Sequence, residues 1–211
     1  MGSPLEQLTN NSQKDETYKV FSGVSRNTAP SIEPVTSAEM QLWLKMDDIT
    51  TDDTLIDNLI TSARVYIEEN IKRSLITQKW NLILNSFPNA GYIELPYGVV
   101  QSIDSIKSYD EDNTLNTFAS ASYSMSSERS IVFLNEGYTW PTALRLHDAV
   151  EIIYTTGYGD AATDVPEVLK TAIMQLAAHW YENRQSVSSD GLKTVPLSVG
   201  IVMEQFKKRR L

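Results

Sequence analysis

Only two histidines, His147 and His179, occur in the 211 residues, so a side-chain base working near neutral pH has few places to reside. Nucleophilic catalysis needs a Ser or Thr beside an oriented base, and the chain contains no Gly-x-Ser-x-Gly elbow. His179 lies three residues beyond Leu176 at the edge of an apolar helical stripe, a position that suits a structural side chain. Cysteine is absent, which removes a thiol nucleophile, a thiolate zinc site and a disulfide framework. Acidic residues are plentiful. Asp47, Asp48, Asp52, Asp53 and Asp57 cluster, but without the alternate spacing, central Gly and terminal Glu of an EF-hand loop; helix capping and a solvated face account for them. Gly157-Tyr158-Gly159-Asp160 lacks the Lys-Ser/Thr of a phosphate-binding loop and the third Gly of a dinucleotide fingerprint, and reads as a strand-to-helix turn. Glu68, Glu69, Asp148 and Glu151 could in principle pair as acid and base for sugar hydrolysis, yet the sequence gives no separation between them and a lone carboxylate on a helix is usually solvated. On these grounds no catalytic residue, metal or cofactor is expected.

The charge pattern narrows the binding classes. With 18 Lys+Arg against 27 Asp+Glu the net charge is −9, which opposes a broad basic face for nucleic acid. Residues 1–185 carry 13 Lys+Arg and 25 Asp+Glu, net −12, while residues 186–211 carry 5 and 2, net +3. An acidic body with a basic tail points to a tail that docks on something acidic. No run approaches the roughly 18 apolar residues of a membrane span, and the polar amino end is unlike a signal peptide, so a soluble, unexported chain is expected.

The elements that would position these groups follow from periodicity. Residues 1–34 are rich in Ser, Thr, Asn and Gln, contain Pro4, Pro30 and Pro34, and hold no sustained apolar period, as an extended amino-terminal arm would. A capping box, Thr36 with Glu39, opens a short helix, and Thr51 or Asp52 is placed to cap a longer one. The longer helix has Leu55, Ile56, Leu59, Ile60, Ala63, Ile67 and Ile71 on one stripe. From residue 75 the pattern turns β-branched and aromatic over 77–84, 92–95, 99–109, 130–134 and 149–156, giving about five or six antiparallel strands. A bulge is expected near Ile103 and Ile106, where alternation slips, and a hairpin turn at Asp110-Glu111-Asp112-Asn113. Asp164 is placed to cap a further helix with Val165 or Pro166 at its start, its buried face running from Val168 and Leu169 through Ala172, Ile173, Leu176 and Ala177 to Trp180. The fold class is α+β: a small helical bundle with an inserted antiparallel β-rich subdomain, an extended amino-terminal arm and a carboxy-terminal docking tail. The division is 1–34 for the arm, 35–185 for the central domain (helices 36–73, β insert 75–156, helix 165–184) and 186–211 for linker and docking segment.

Several ordered segments resemble the tailed-bacteriophage head-tail connector (adaptor, or head-completion) family. They are Leu42-Trp43-Leu44-Lys45-Met46-Asp47-Asp48 with Asp52-Asp53-Thr54-Leu55-Ile56, then Ala63-Arg64-Val65-Tyr66-Ile67-Glu68 and Leu75-Ile76-Thr77-Gln78-Lys79-Trp80. Tyr92-Ile93-Glu94-Leu95-Pro96, Ile152-Ile153-Tyr154-Thr155-Thr156-Gly157-Tyr158-Gly159, Asp164-Val165-Pro166-Glu167 and Ala178-His179-Trp180-Tyr181-Glu182-Asn183-Arg184 follow in order. The resemblance implies a structural virion protein with no enzymatic activity and no cofactor. It would form a closed ring of about twelve copies at the head-tail junction, between the portal protein and tail or nozzle proteins. DNA would pass through the channel without sequence-specific binding, and assembly would take place in the host cytoplasm. Family members dock on the portal through their carboxy-terminal segment. Here that maps to Val202, Met203, Phe206, Lys207, Lys208, Arg209 and Arg210. The alternatives are a small tail-associated enzyme, such as a wall or glycan hydrolase, and a portal-binding completion factor that never closes a ring.

Overall fold

The computed structural model describes residues 21–46, 52–89, 91–183 and 195–208. The fold is α+β, and the chain divides into two compact units, residues 21–29 with 78–156 and residues 30–77 with 157–208.

The first unit is all β. Its larger sheet is antiparallel in the order β1-β2-β8-β4-β5, where β1 is Phe21–Thr28, β2 Gln78–Leu84, β4 Val100–Tyr109, β5 Leu115–Thr117 and β8 Val150–Thr156. A second sheet runs β3-β7-β6, from Tyr92–Glu94, Ile131–Leu134 and Tyr123–Ser126. Alternation along β2 sends Trp80, Leu82 and Leu84 inward, and the register sets them opposite Tyr154, Ile152 and Val150 of β8. Both sheets contribute to one core, with Ile93 and Val132 joining from the smaller one. Trp80 stacks on Tyr97 with ring centroids 3.8 Å apart, and Phe87 stacks on Trp140 at 4.4 Å with Phe118 edge-on to both. Burial pushes the Tyr154 phenol well above its usual range, and its hydroxyl donates to the Pro96 carbonyl at 3.0 Å.

Residues 75–156 hold seven strands rather than five or six, because β5 and β6 are too short to carry a readable alternation. The slip anticipated near Ile103 is real: β4 shifts register against β8 between Val100 and Ser102 and again between Ile103 and Ser105. The turn at Asp110–Asn113 joins β4 to β5, its Asp110 carboxylate accepting from the Asp112 and Thr114 N–H groups. Phe21–Thr28 lies inside the stretch assigned to an arm, but it is strand β1, paired with β2 at the sheet edge. Pairing supplies the backbone hydrogen bonds that a segment without an apolar stripe cannot supply itself.

The second unit contains α1 (Ser37–Leu44), α2 (Asp53–Ile71), α3 (Glu167–Glu182) and α4 (Leu197–Phe206) around a shared core. The Thr36–Glu39 capping box forms as expected: Thr36 Oγ1 accepts from Glu39 N–H at 3.2 Å and Glu39 Oε2 from Thr36 N–H at 2.7 Å. Two expected caps do different work. Asp52 occupies the N-cap of α2 but its carboxylate accepts from the Tyr181 hydroxyl at 2.6 Å, and Thr51 lies outside the described residues. Asp164 accepts from Ala161 N–H in a 3₁₀ turn ahead of α3, whose first residue is Glu167.

An ionic network runs through this unit. The Arg64 guanidinium, 3% exposed, donates to Glu33 at 2.6 and 3.1 Å and to Glu68 at 2.7 Å, while Glu68, 1% exposed, also accepts from Leu75 N–H at 2.8 Å. Burial works against the charge of Arg64, but the two carboxylates outweigh it and hold the guanidinium above its ordinary value. The network fastens the segment before α1 and the turn after α2 onto one face of α2.

The chain leaves this unit after Thr77 and returns at Gly157, and the two passages are joined. Tyr158 N–H donates to the Leu75 carbonyl and Thr77 N–H to the Gly159 carbonyl, each at 3.0 Å. Gly157 sits at φ 134°, where a Cβ would come within 2.7 Å of the Ile76 backbone, so no other residue fits that crossing.

Candidate docking segment

The segment singled out for docking is α4 and the basic residues that follow it. Pro196 occupies its N-cap, where the missing N–H is no loss. Val199, Met203 and the partly buried Val202 and Phe206 recur at three- and four-residue steps and pack into the helical core. Ser198 Oγ donates to Gln175 Oε1 of α3 at 2.9 Å, and Lys208 N–H donates to the Ile71 carbonyl at the end of α2 at 2.9 Å. Lys207 is exposed and pairs with Glu204 at 2.9 Å. Arg209 and Arg210 lie outside the described residues.

The structure therefore brings Val202, Met203 and Phe206 together on one side of α4, but against their own unit. With Val199 fully buried and Met203 9% exposed, the helical core continues past residue 198 into the segment assigned to docking. The apolar residues that α4 turns outward are Leu197 and Ile201, at 68% and 62% exposed. Periodicity separates these two sets only once it is known which one has an internal partner.

The remaining chemistry-bearing residues have other partners, although Asp148 and Glu151 share one cavity. Glu68 belongs to the Arg64 network, and Glu69 pairs with Lys72 at 3.1 Å. Asp148 and Glu151 line an open cavity of about 300 Å³ in the β unit, with Ser22, Gly23, Ile83, Tyr109 and Arg145. There Asp148 accepts from the Ser22 hydroxyl, Glu151 from the Asn81 amide at 3.0 Å, and Arg145 lies 3.8 Å over the Tyr109 ring. Arg145 donates to the backbone carbonyls of His147 and Asp148. His179 stands beside the amide of Asn183, the C-cap of α3. Among the described residues no group of three or more acidic or imidazole side chains converges as a metal site.

Comparison with known proteins gives this arrangement a context. The head completion protein (HCP) family matches residues 33–201. No curated protein sequence matches the chain significantly. Solved structures share its fold. A chain from the neck of an empty GTA particle, computed with C6 symmetry, aligns with TM-score 0.75 at 21% identity, covering 90% of this chain and 97% of that one. A chain from the virion of a native gene transfer agent (GTA) particle gives TM-score 0.74 at 21% identity over the same shares. A third, from the neck of a native GTA particle computed with C12 symmetry, gives 0.68 at 20% identity, again over 90% and 97%. The match extends from just before α1 into α4 and spans both the helices and the β insert, so the chain belongs to the head completion protein family and is a structural virion protein of the head-tail connection.

Proposed function

We propose that the chain closes head to tail into a ring of about twelve copies between the portal and the tail. The observation that carries this reading is the family match over residues 33–201. The agreement of fold with neck chains solved under C6 and C12 symmetry supports it. The net charge of −12 over residues 1–185 suits a channel through which DNA slides, since an acidic wall repels phosphate. The absence of cysteine is compatible with assembly in a reducing host cytoplasm.

Within that ring the three-part division of the chain becomes functional: an arm in residues 1–34 whose Phe21–Thr28 joins the sheet as β1, a connector domain in 35–185 and a docking segment in 186–211 whose α4 packs on the helical core. The docking segment meets the portal through Lys207, Lys208, Arg209 and Arg210, with Val202, Met203 and Phe206 holding α4 at the angle that presents them. Cations that dock through ion pairs open to solvent do so with a strong dependence on salt, since charges are screened over roughly 8 to 10 Å at physiological ionic strength. Electron microscopy of the full-length chain mixed with portal tests the reading. Closed rings seated on the portal are expected, and a stable twofold dimer with and without portal would sink it. Replacing the four basic residues with Ala is expected to weaken docking most at low salt, where their ion pairs are least screened, and to flatten its salt dependence while ring closure persists.

A further inference from the structure

A ring makes a demand on its subunit, and the inference here rests on the ring reading above. Cyclic symmetry beyond twofold joins two different patches of one chain, a head and a tail, never a patch to itself. The helical unit carries two apolar pairs of that kind. On α1, Leu42 and Trp43 are 81% and 44% exposed, although the same helix buries Met40. On α4, Leu197 and Ile201 stand four residues apart and so share a face, opposite the buried Val199 and Met203.

Single exposed aliphatic residues need no explanation, but two such pairs on different helices of one unit do. The Gln41 and Ser37 side chains of α1 donate to Asp53 and Asp57, at the beginning of α2. The backbone just beyond α4 is tied to the end of α2 by the bond from Lys208 N–H to the Ile71 carbonyl. That bond fixes the far end of α4, whereas Leu197 and Ile201 lie toward its start, where Ser198 bonds to Gln175 of α3. All four side chains are exposed in the single chain, so neither pair covers the other there. In a closed ring a neighbouring copy on each side covers both pairs of every subunit at once. We infer that Leu42 and Trp43 of one copy pack against Leu197 and Ile201 of the next, making α1 and α4 the two halves of the ring contact. The basic residues that meet the portal follow the other end of α4, so both contacts can form together.

The absence of cysteine makes a covalent test clean. Full-length chains combine Leu42→Cys or Trp43→Cys with Leu197→Cys or Ile201→Cys, four pairings in all. They are assembled with portal, checked for rings by electron microscopy and oxidised. At least one pairing is expected to give a ladder of disulfide-linked multimers beyond the dimer on a non-reducing gel, while each single cysteine gives monomer. Rings without a ladder from any pairing, or dimers from one cysteine alone, would overturn the inference and leave the ring reading standing. Absence of rings from the unsubstituted chain would remove both. A second pair of variants, Leu42→Glu and Ile201→Glu, guards against poor disulfide geometry. Each is expected to melt with the parent, because the replaced side chain is exposed, and to lower ring yield about tenfold or more. A ring yield equal to the parent's from both would also overturn the inference.

Discussion

The two units solve the same problem, an interior for a chain of modest size, by different means. The β unit builds its core from aromatic stacks and cross-strand pairs, Trp80 on Tyr97 and Phe87 on Trp140, whose members are apolar nearly throughout. The helical unit gathers segments that are far apart in sequence, the residues before α1 and all four helices, and sets a charged triad among them. An aromatic core tolerates loss in proportion to the volume removed. A buried ion system does not, because removing one member leaves the others desolvated and unpaired. The helical unit is thus the more specifically registered of the two, and it is also the unit that carries the apolar pairs assigned to the ring contact.

Substitutions can break that contrast in order of effect. Arg64→Met strands Glu68 in the interior and is expected to destabilise by about 3 to 5 kcal/mol in urea titrations of the full chain. A loss under about 1 kcal/mol would mean that the triad is no more demanding than a surface pair. The β counterpart, Trp80→Phe, keeps an aromatic ring and is expected to lose about 1 to 2 kcal/mol, the stack being retained in part. Should it exceed the Arg64 variant, the comparison is inverted. Thr36→Ala opens the capping box and is expected to lower stability by about 1 kcal/mol. The box also has a pH signature. The bond from the Thr36 backbone holds Glu39 below its ordinary value of 4.5, against burial that would raise it. A carboxylate depressed in the folded state contributes stability above its unfolded value and loses it as pH falls through the folded one. Acidification from 4.5 downward should therefore weaken the parent, and Glu39→Gln should flatten that part of the profile. Smallest of all is Lys207→Ala. Its pair with Glu204 is exposed, so thermal melts should move by less than about 0.5 kcal/mol, which separates a docking cation from a structural one.

Much of the helical unit was legible in the chain, because α2 and α3 are long enough for their apolar stripes to declare a period and Thr36 with Glu39 is a local signal. The strands of the insert were legible where they alternate, as in β2, or run apolar, as in β8. Strand β1 was not. Phe21–Thr28 places most of its side chains in solvent, and its strand character comes from β2, more than fifty residues on. The triad was hidden for the same reason. Arg64 and Glu68 sit within the stripe of α2 and look like surface interruptions until Glu33, from the segment read as an arm, is seen to meet them. In the docking segment the apolar spacing was readable but its destination was not, since periodicity says that a face will be covered and not whether the same chain covers it.

The interleaved order of the two units has a consequence in time. Strand β1 is made first and must wait for β2, while the core of the helical unit stays open until Val199 and Met203 of α4 arrive, after the whole β insert. At about 5 to 20 residues per second the ribosome separates α2 from α4 by several seconds or more. Ring-forming surface on α1 is therefore present long before its complement on α4, and a nascent chain can offer one half of the contact but not both. Joining of subunits is thereby deferred to chains whose synthesis has passed α4, a schedule written into the order of the elements rather than supplied by a separate factor.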